Sequence, residues 1–327
     1  MSTPKSKWKR RLATLAPIVF SGVLLAWVII QAGADRVWAD LIGLDPSLYA
    51  LAGLFFYVGV VLRSWRWLVL LRDLEAKATL GQLVSMYTTG IFFDNLLPTG
   101  VGGDIVRAME LRRESQRGAD SVSSVVVNRL IGIFTMSCLG VIALLANPGI
   151  FPTFVSWSIG GVALAIIAGV WLVRRDVLTW LSERVPLVRP VTDHPKLRAL
   201  HGTTTAYSGM TLLRAIGISV LFTLSLVATQ FTIARAIGVH LGIKYFAVAA
   251  PVIGAVNMMP ISFNGLGVRE GVYQILFSSV GVAPSAAVAM SLAFYGLRLF
   301  VGFLGGALML VGSARRLTAQ ERSQAGG

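Results

Sequence analysis

The chain has 327 residues, of which 55% are hydrophobic and only 13% are charged, and its mean hydropathy is +0.73. Soluble domains average roughly 25% charged residues, so this composition excludes an ordinary water-soluble domain and indicates membrane-spanning helices. The formal net charge of +14 fits the basic cytoplasmic loops of a membrane protein, so we expect no nucleic-acid partner. A single cysteine and three scattered histidines argue against a disulfide framework and a metal site, and we expect no cofactor.

The first apolar stretch, residues 12–30, follows a strongly basic N-terminus and has two interpretations. A cleaved signal peptide would use Ala32, Gly33 and Ala34 as its cleavage site. Signal cores are about 7–15 residues long, however, and this stretch is longer. We therefore predict that it is the first membrane helix.

Five further apolar stretches are long enough to cross a bilayer. They cover residues 48–71, 122–146, 157–173, 212–237 and 286–311. Two other apolar segments, about 80–106 and 245–281, are interrupted by proline and glycine. Because proline ends helices and glycine permits tight reversals, we predict that each is a re-entrant hairpin of broken helices. The residues predicted to form the breaks are Pro98, Gly102, Gly103, Pro260, Gly265 and Gly267.

The positions of lysine and arginine predict the orientation, since these residues collect on the cytoplasmic side. The basic segments are the N-terminus, residues 72–77, 107–117 and about 174–210, and the C-terminal end. We therefore predict a protein of the cytoplasmic (inner) membrane, with both termini and the 174–210 loop inside. All basic segments can lie on the cytoplasmic side only if each broken segment enters and leaves the membrane on the same face. This arrangement gives about six full spans and two re-entrant hairpins.

The two broken segments also share a pattern of Asn, Pro, Gly, Val and Arg at identical spacing. It runs from Asn95 to Arg107 and again from Asn257 to Arg269, 162 residues later. Chance is an alternative, since glycine and valine are common, but the same offset also carries the second span onto the fifth and the third onto the sixth. We predict an all-α polytopic fold of two inverted repeats. The repeats are residues 1–146 and 147–327.

Paired segments of this kind, interrupted by glycine and proline within inverted repeats, are typical of secondary transporters with a site near the membrane midplane. Non-helical backbone survives at that depth only when it is buried in protein or lines a wet cavity. A short helix that restarts after each break would point free N–H groups at the cavity and favour an anion there.

The segments NLLPTGVGGDIVRAMELRR and PISFNGLGVREGVY resemble the two signature segments of the lysylphosphatidylglycerol synthase transmembrane-region family, also called UPF0104 or flippase-like membrane proteins. The resemblance covers nearly the whole chain. It implies lipid translocation, because in the full-length synthases this region is the flippase for aminoacylated phosphatidylglycerol. Since the sequence ends at Gly327, we expect no soluble aminoacyl-transfer domain and no lysyl transfer.

Four arginines are the strongest candidates for binding a lipid phosphate. Arg107 and Arg269 lie where the broken segments end, and a guanidinium can hold phosphate bidentately. The alternatives are snorkelling to the interface for Arg107 and an internal ion pair with Glu270 for Arg269. Arg129 and Arg298 lie inside apolar spans, where a charge costs at least roughly 2.5–3.5 kcal/mol at the centre and marks a transport pathway by default. For Arg129, which is nearer the start of its helix, snorkelling is again the alternative.

Acids and amides complete the predicted substrate site. Asp104 and Glu270 are expected to pair with the arginines, or to carry a coupling proton if burial raises the pKa, and Asp94 at the first break has the same alternatives. Asn95 and Asn257 are expected to cap or bridge the broken backbone.

Arg63 and Arg66, three residues apart on one face of the second span, lie next to Trp65 and Trp67. They could contact lipid phosphate, but the interleaved tryptophans favour an interfacial anchor belt.

The leading interpretation is a non-enzymatic lipid flippase that moves an anionic-headed phospholipid or lipid-linked glycan between leaflets. The alternatives are an intramembrane transferase, or an accessory subunit of a lipid or glycolipid synthesis pathway. A membrane lipid is the expected partner, and the sequence indicates no oligomeric state.

Overall fold

The computed structural model describes residues 19–74, 76, 78–96, 102–115, 118–174, 207–258 and 265–325. Within these ranges the chain forms helices and no strand, which confirms the all-α class. The helices are α1 (Val19–Ala32), α2 (Ala34–Ile42), α3 (Pro46–Asp73), α4 (Leu80–Leu96), α5 (Gly102–Ser115), α6 (Gly118–Ala146), α7 (Thr153–Arg174), α8 (Gly209–Ala236), α9 (Ile243–Met258), α10 (Val268–Ser278) and α11 (Pro284–Ala325).

Four described helices are long and apolar enough to cross a membrane: α3, α6 and α8, and α11 over Pro284–Leu310. A fifth span results if α1 and α2 count as one, although these two helices are bent by 85° at Gly33, whose φ is +86°. The apolar part of α7 is shorter, covering Thr153–Ala165. The protein is therefore a polytopic membrane protein, while the count of six spans stays a prediction. Most of the predicted 174–210 loop lies outside the described residues.

Local sequence signals set the starts of the long helices. Asp45 caps α3 by accepting hydrogen bonds from the N–H groups of Ser47 (2.8 Å) and Leu48 (3.1 Å), and Pro46 follows it in the first turn, where a missing N–H does no harm. Ser208 caps α8 through the N–H of Thr211 at 3.1 Å. These caps stabilise helices that the apolar pattern alone would leave with frayed ends.

The two halves match in helix position. Helices α3 and α4 begin at Pro46 and Leu80, and α8 and α9 begin at Gly209 and Ile243, 163 residues later in each case. The packing matches as well. Helix α3 packs against its counterpart α8, α4 packs on α11 as α9 packs on α6, and α5 packs on α6 as α10 packs on α11. This correspondence is what a repeat requires, while the repeat and its inversion across the membrane stay predictions.

Small residues allow the closest helix pairs to form. A Cβ on Gly59 of α3 would lie 2.9 Å from the Ser225 hydroxyl of α8, and one on Gly305 of α11 would lie 2.2 Å from the Thr88 backbone of α4. Membrane helices associate through such close backbone approach because lipid gives them no hydrophobic driving force. Large apolar side chains such as Leu145, Phe154 and Leu310 point outward instead, as lipid-facing residues do.

Candidate functional site

A polar cavity lies where helices of both halves meet. Its volume is about 120 Å³, and its wall is built from α3, α4, α5, α6, α8, α9 and α11. The described charged residues of this wall are Arg63, Arg66, Arg107, Arg129, Arg298, Asp94 and Asp104. Five arginines thus face two aspartates, and the described wall carries a net charge of +3.

Arg107 of α5 is held inside this wall. Its Nη2 lies 2.9 Å from Asp104 Oδ1 and 3.8 Å from Asp94 Oδ2, and its guanidinium stacks over the Tyr87 ring at 4.3 Å. Only 5% of the residue is exposed. The snorkelling alternative is therefore wrong for Arg107, because its charge is neutralised within the protein.

Two glycines bring α4 and α5 close enough for this arrangement. A Cβ on Gly103 would lie 2.3 Å from the Gly90 carbonyl oxygen, and one on Gly90 would lie 2.8 Å from Arg107 Nε. A larger residue at Gly103 would force the two helices apart, and one at Gly90 would displace the Arg107 side chain. Gly102 and Gly103, two of the predicted breaks, form the first turn of α5.

Arg129 and Arg298 reach the same carboxylates from two other helices. Arg129 of α6 donates through Nη1 to Asp104, and Arg298 Nη2 of α11 lies 3.5 Å from Asp94 Oδ2. Three arginines from α5, α6 and α11 therefore share two aspartates. The structure places both in-span arginines on the cavity wall, and their role in substrate binding stays a prediction.

Arg63 and Arg66 also line the cavity, so the interpretation as an interfacial anchor belt is wrong. Arg66 is only 1% exposed, and it donates to Asn128 Oδ1 at 2.6 Å and to Ser219 Oγ at 2.8 Å. Trp67 is equally buried and donates to Ser124 Oγ at 3.1 Å. The expectation failed because tryptophan near a helix end suggests a membrane interface, whereas the helices packed on α3 enclose this turn.

Arg269 lies in a second cluster, outside the cavity wall. Its Nη2 lies 2.5 Å from Glu270 Oε1, its Nε donates to Ser291 Oγ at 2.8 Å, and its guanidinium stacks over the Tyr295 ring at 4.7 Å. Arg269 is 1% exposed and Glu270 is fully buried. The internal ion pair weighed as the alternative is thus present, and substrate contact by these two residues stays a prediction.

Internal carboxylates bind one N–H group at the start of each of α5 and α10. The Gly103 N–H donates to Asp94 Oδ1 at 2.7 Å, and the Gly267 N–H donates to Glu270 Oε2 at 2.7 Å. These two N–H groups are therefore not free for a substrate anion, while an anion site at the remaining N–H groups of the two helix starts stays a prediction.

The amides and the remaining breaks have separate positions. Asn257 lies on the cavity wall, whereas the Asn95 amide makes a long contact, 3.5 Å, with the Arg298 carbonyl oxygen. Gly265 and Gly267 have φ of +77° and +81°, which other residues rarely adopt. Pro98 and Pro260 lie outside the described residues.

Sequence reasoning missed several polar residues of the wall, namely Tyr87, Asn128 and Gln230. Asn128 Nδ2 donates to Tyr87 Oη at 2.5 Å, which joins α6 to α4. For Asn128 and Gln230 the available signal was an amide within an apolar span, the same kind of signal that singled out Arg298. Among the described residues, no three His, Cys, Asp or Glu side chains are placed to hold a metal ion.

Comparison with known proteins gives a family and several distant relatives. The model of the lysylphosphatidylglycerol synthase TM region matches residues 14–306. A UPF0104 membrane protein of Methanothermobacter thermautotrophicus is 24% identical over 83% of this chain and 87% of its own length, and UPF0104 membrane protein MJ1595 of Methanocaldococcus jannaschii is 23% identical over 84% and 87%. Glycosyltransferase AglD of Haloferax volcanii is 24% identical over 93% of this chain, which spans only 55% of that relative. Since the family model covers most of the sequence and both of its broken segments, the chain belongs to the lysylphosphatidylglycerol synthase transmembrane-region family.

Proposed function

We propose that this protein moves an anionic-headed lipid between the leaflets of the cytoplasmic membrane, with both termini inside. The observation that carries the proposal is the arginine-rich cavity, whose described wall has a net charge of +3 within a bundle of membrane helices. Isolated charges in such a bundle are costly and mark transport pathways by default. An anionic headgroup would offset that cost while its tails stay in the bilayer.

The relatives support a setting in lipid or glycan synthesis. The family is named for the membrane region of a lipid synthase, and one relative is named a glycosyltransferase. Because this chain matches only about half of that relative, its named activity does not carry over to this chain.

An intramembrane transferase is the second candidate, and the similarity to a relative named glycosyltransferase AglD is the observation that favours it. Such an enzyme needs an acid or base at the cavity. The acids nearest the breaks are Asp94, Asp104 and Glu270, and each is already engaged in an ion pair with an arginine. Since all three carboxylates have partners within the protein, transport is the better-supported proposal.

The test is lipid movement by purified protein in vesicles, with a fluorescent phospholipid that an impermeant reductant quenches from outside. We expect the wild type to expose inner-leaflet lipid far faster than empty vesicles do. Arg298→Gln should slow this about tenfold to a hundredfold, since a charge-assisted hydrogen bond contributes roughly 1.5–3 kcal/mol. Arg214→Gln is the matched control, because Arg214 is exposed on α8 away from the cavity.

Lipid movement no faster than in empty vesicles, across anionic and zwitterionic lipids, would reject the proposal. Mass spectrometry of the same vesicles, supplied with lipid-linked donors and acceptors, tests the transferase. A new product that depends on Asp104 would favour that candidate instead.

A further inference from the structure

The five arginines of the cavity wall differ in how their charges are balanced. Arg107, Arg129 and Arg298 share the carboxylates of Asp94 and Asp104. Arg63 and Arg66 contact only neutral groups in the part of the chain that the structure describes. The excess positive charge of the cavity is therefore concentrated on the side formed by α3.

Arg63 is held by aromatic rings rather than by acids. Its guanidinium lies 5.2 Å from the centre of the Tyr87 ring and 5.4 Å from that of Phe222. Such cation–π contacts position a guanidinium without neutralising it. Its buried Nε has no hydrogen-bond acceptor within the described ranges. Arg63 is thus oriented, charged and short of an acceptor.

The other unpartnered buried polar atoms of the same wall are also mostly hydrogen-bond donors. Arg298 Nε and Gln230 Nε2 are donors without an acceptor among the described residues, and Asn257 Oδ1 is a single acceptor without a donor. Gln230 is oriented by the Tyr273 hydroxyl, which donates to its Oε1 at 2.5 Å. Because a buried donor without a partner destabilises the protein, a wall with surplus donors fits a ligand made of acceptors.

We propose that Arg63, Arg66, Arg298 and Gln230 form a subsite for a phosphate group that carries more than one negative charge, such as the terminal phosphomonoester or the pyrophosphate of a membrane lipid. This inference rests on the proposed function and names its substrate class. A phosphodiester brings one negative charge and would leave most of the +3 unbalanced in a low-dielectric site. A phosphomonoester carries about −1.5 to −2 near pH 7, with three strong acceptor oxygens.

The experiment compares two lipids with identical acyl chains, phosphatidic acid and phosphatidylglycerol, for binding to detergent-purified protein. At pH 8 we expect phosphatidic acid to bind at least about tenfold more tightly, as one extra charge-assisted contact would give. At pH 5 the monoester loses much of its second charge, whose pKa is about 6, and the preference should shrink. Equal binding of the two lipids at pH 8 would overturn the inference.

Variants locate the subsite. Arg63→Gln should reduce the preference for the monoester about tenfold or more, while Arg72→Gln, an equal loss of charge at an exposed position of the same helix, should leave it unchanged. If Arg63→Gln does not fold, Gln230→Glu gives a second test. That change is nearly isosteric, keeps the acceptor for Tyr273, and lowers the net charge of the wall by one. If every variant of these two that folds keeps the full preference for phosphatidic acid, the subsite is refuted.

A free phosphate or pyrophosphate anion would make the same contacts in the subsite as a lipid phosphate. Inorganic pyrophosphate, added in competition with phosphatidic acid, separates the two sources. Weak competition supports a lipid ligand, and displacement at equal concentrations would overturn the lipid assignment. If the protein moves phosphatidylglycerol and phosphatidic acid between leaflets equally fast, this inference alone is refuted. If it moves neither lipid, the proposed function is refuted as well.

Discussion

The two broken segments hold equivalent arginines in unlike surroundings. Arg107 lies on the cavity wall and shares its acids with arginines from two other helices. Arg269, 162 residues later, is buried with its neighbour Glu270 and is not part of the cavity wall. In both segments an internal carboxylate accepts from a glycine N–H at the start of the second helix, and the arginine stacks over a tyrosine. The same local design therefore contributes Arg107 to the cavity wall in the first segment and a buried ion pair in the second, whose Asn257 also lies on the wall.

The largest expected effect concerns the sides on which the two segments enter the membrane, and it is all-or-none. In a Cys138→Ser background, His240→Cys before α9 should react with an impermeant maleimide in intact spheroplasts, and Arg72→Cys before α4 should not. Both positions are exposed and lie close to the entry points of the two segments. Reaction at both positions, or at neither, would contradict the inversion of the halves.

Loss of Arg269 should affect folding more than loss of Arg107. Arg269→Gln leaves Glu270 fully buried without its cation, which typically costs about 3–5 kcal/mol. Arg107→Gln leaves Asp94 and Asp104 still paired with Arg298 and Arg129, so its melting temperature should fall less. Melting in detergent and lipid movement are measured on the same samples.

The two variants should rank in the opposite order for lipid movement. We expect Arg107→Gln to move lipid more slowly than the wild type, and the folded fraction of Arg269→Gln to move it at a near-normal rate. The double variant Arg269→Gln, Glu270→Gln should regain part of the lost stability, because no buried charge is then unpaired. Stable Arg269→Gln protein with impaired lipid movement would instead return Arg269 to the substrate site, as the sequence predicts.

The glycines of the two breaks should also differ. Gly103→Ala forces α4 and α5 apart, since the new Cβ would meet the Gly90 carbonyl, and should destabilise by about 1–3 kcal/mol or more. Gly265→Ala should cost mainly the strain of its positive φ, about 1–2 kcal/mol, and the new Cβ meets no backbone atom this closely among the described residues. Gly81→Ala in α4 is the control, since its Cβ would meet nothing within 4 Å in the described part of the chain. A Gly103→Ala protein that melts like this control would disprove the close contact.

The smallest effect contrasts the caps of α3 and α8, which occupy equivalent positions. The Ser47 hydroxyl and the N–H groups of Leu48 and Ser47 lower the pKa of the exposed Asp45, whereas Ser208 does not titrate. The contribution of Asp45 is present above its ordinary pKa and is lost as the pH falls through the lowered value. Melting curves measured at a series of acid pH values should show a small additional loss of stability in the wild type. Asp45→Asn should abolish this loss, because asparagine is still a good N-cap but does not titrate. An identical acid loss in that variant would assign the effect to other carboxylates.

Much of this architecture follows from the sequence alone. Long apolar runs require helices in a membrane, because lipid offers no partner for free backbone groups. The shared spacing around Asn95 and Asn257 marked both breaks, and the in-span charges marked Arg129 and Arg298, since an apolar run makes an isolated charge conspicuous.

Only the tertiary structure decided how the charges are distributed. Periodicity gives the face of a helix but not the helix it meets, so the sequence could not tell that Arg66 is enclosed by α6 and α8, or that Arg269 is sealed against Ser291. It also could not assign Asp94 to the start of α5, because that contact depends on the approach of Gly90 to Gly103 across the break. Ion pairs form between side chains brought together by packing, and packing depends on contacts between residues far apart in the chain.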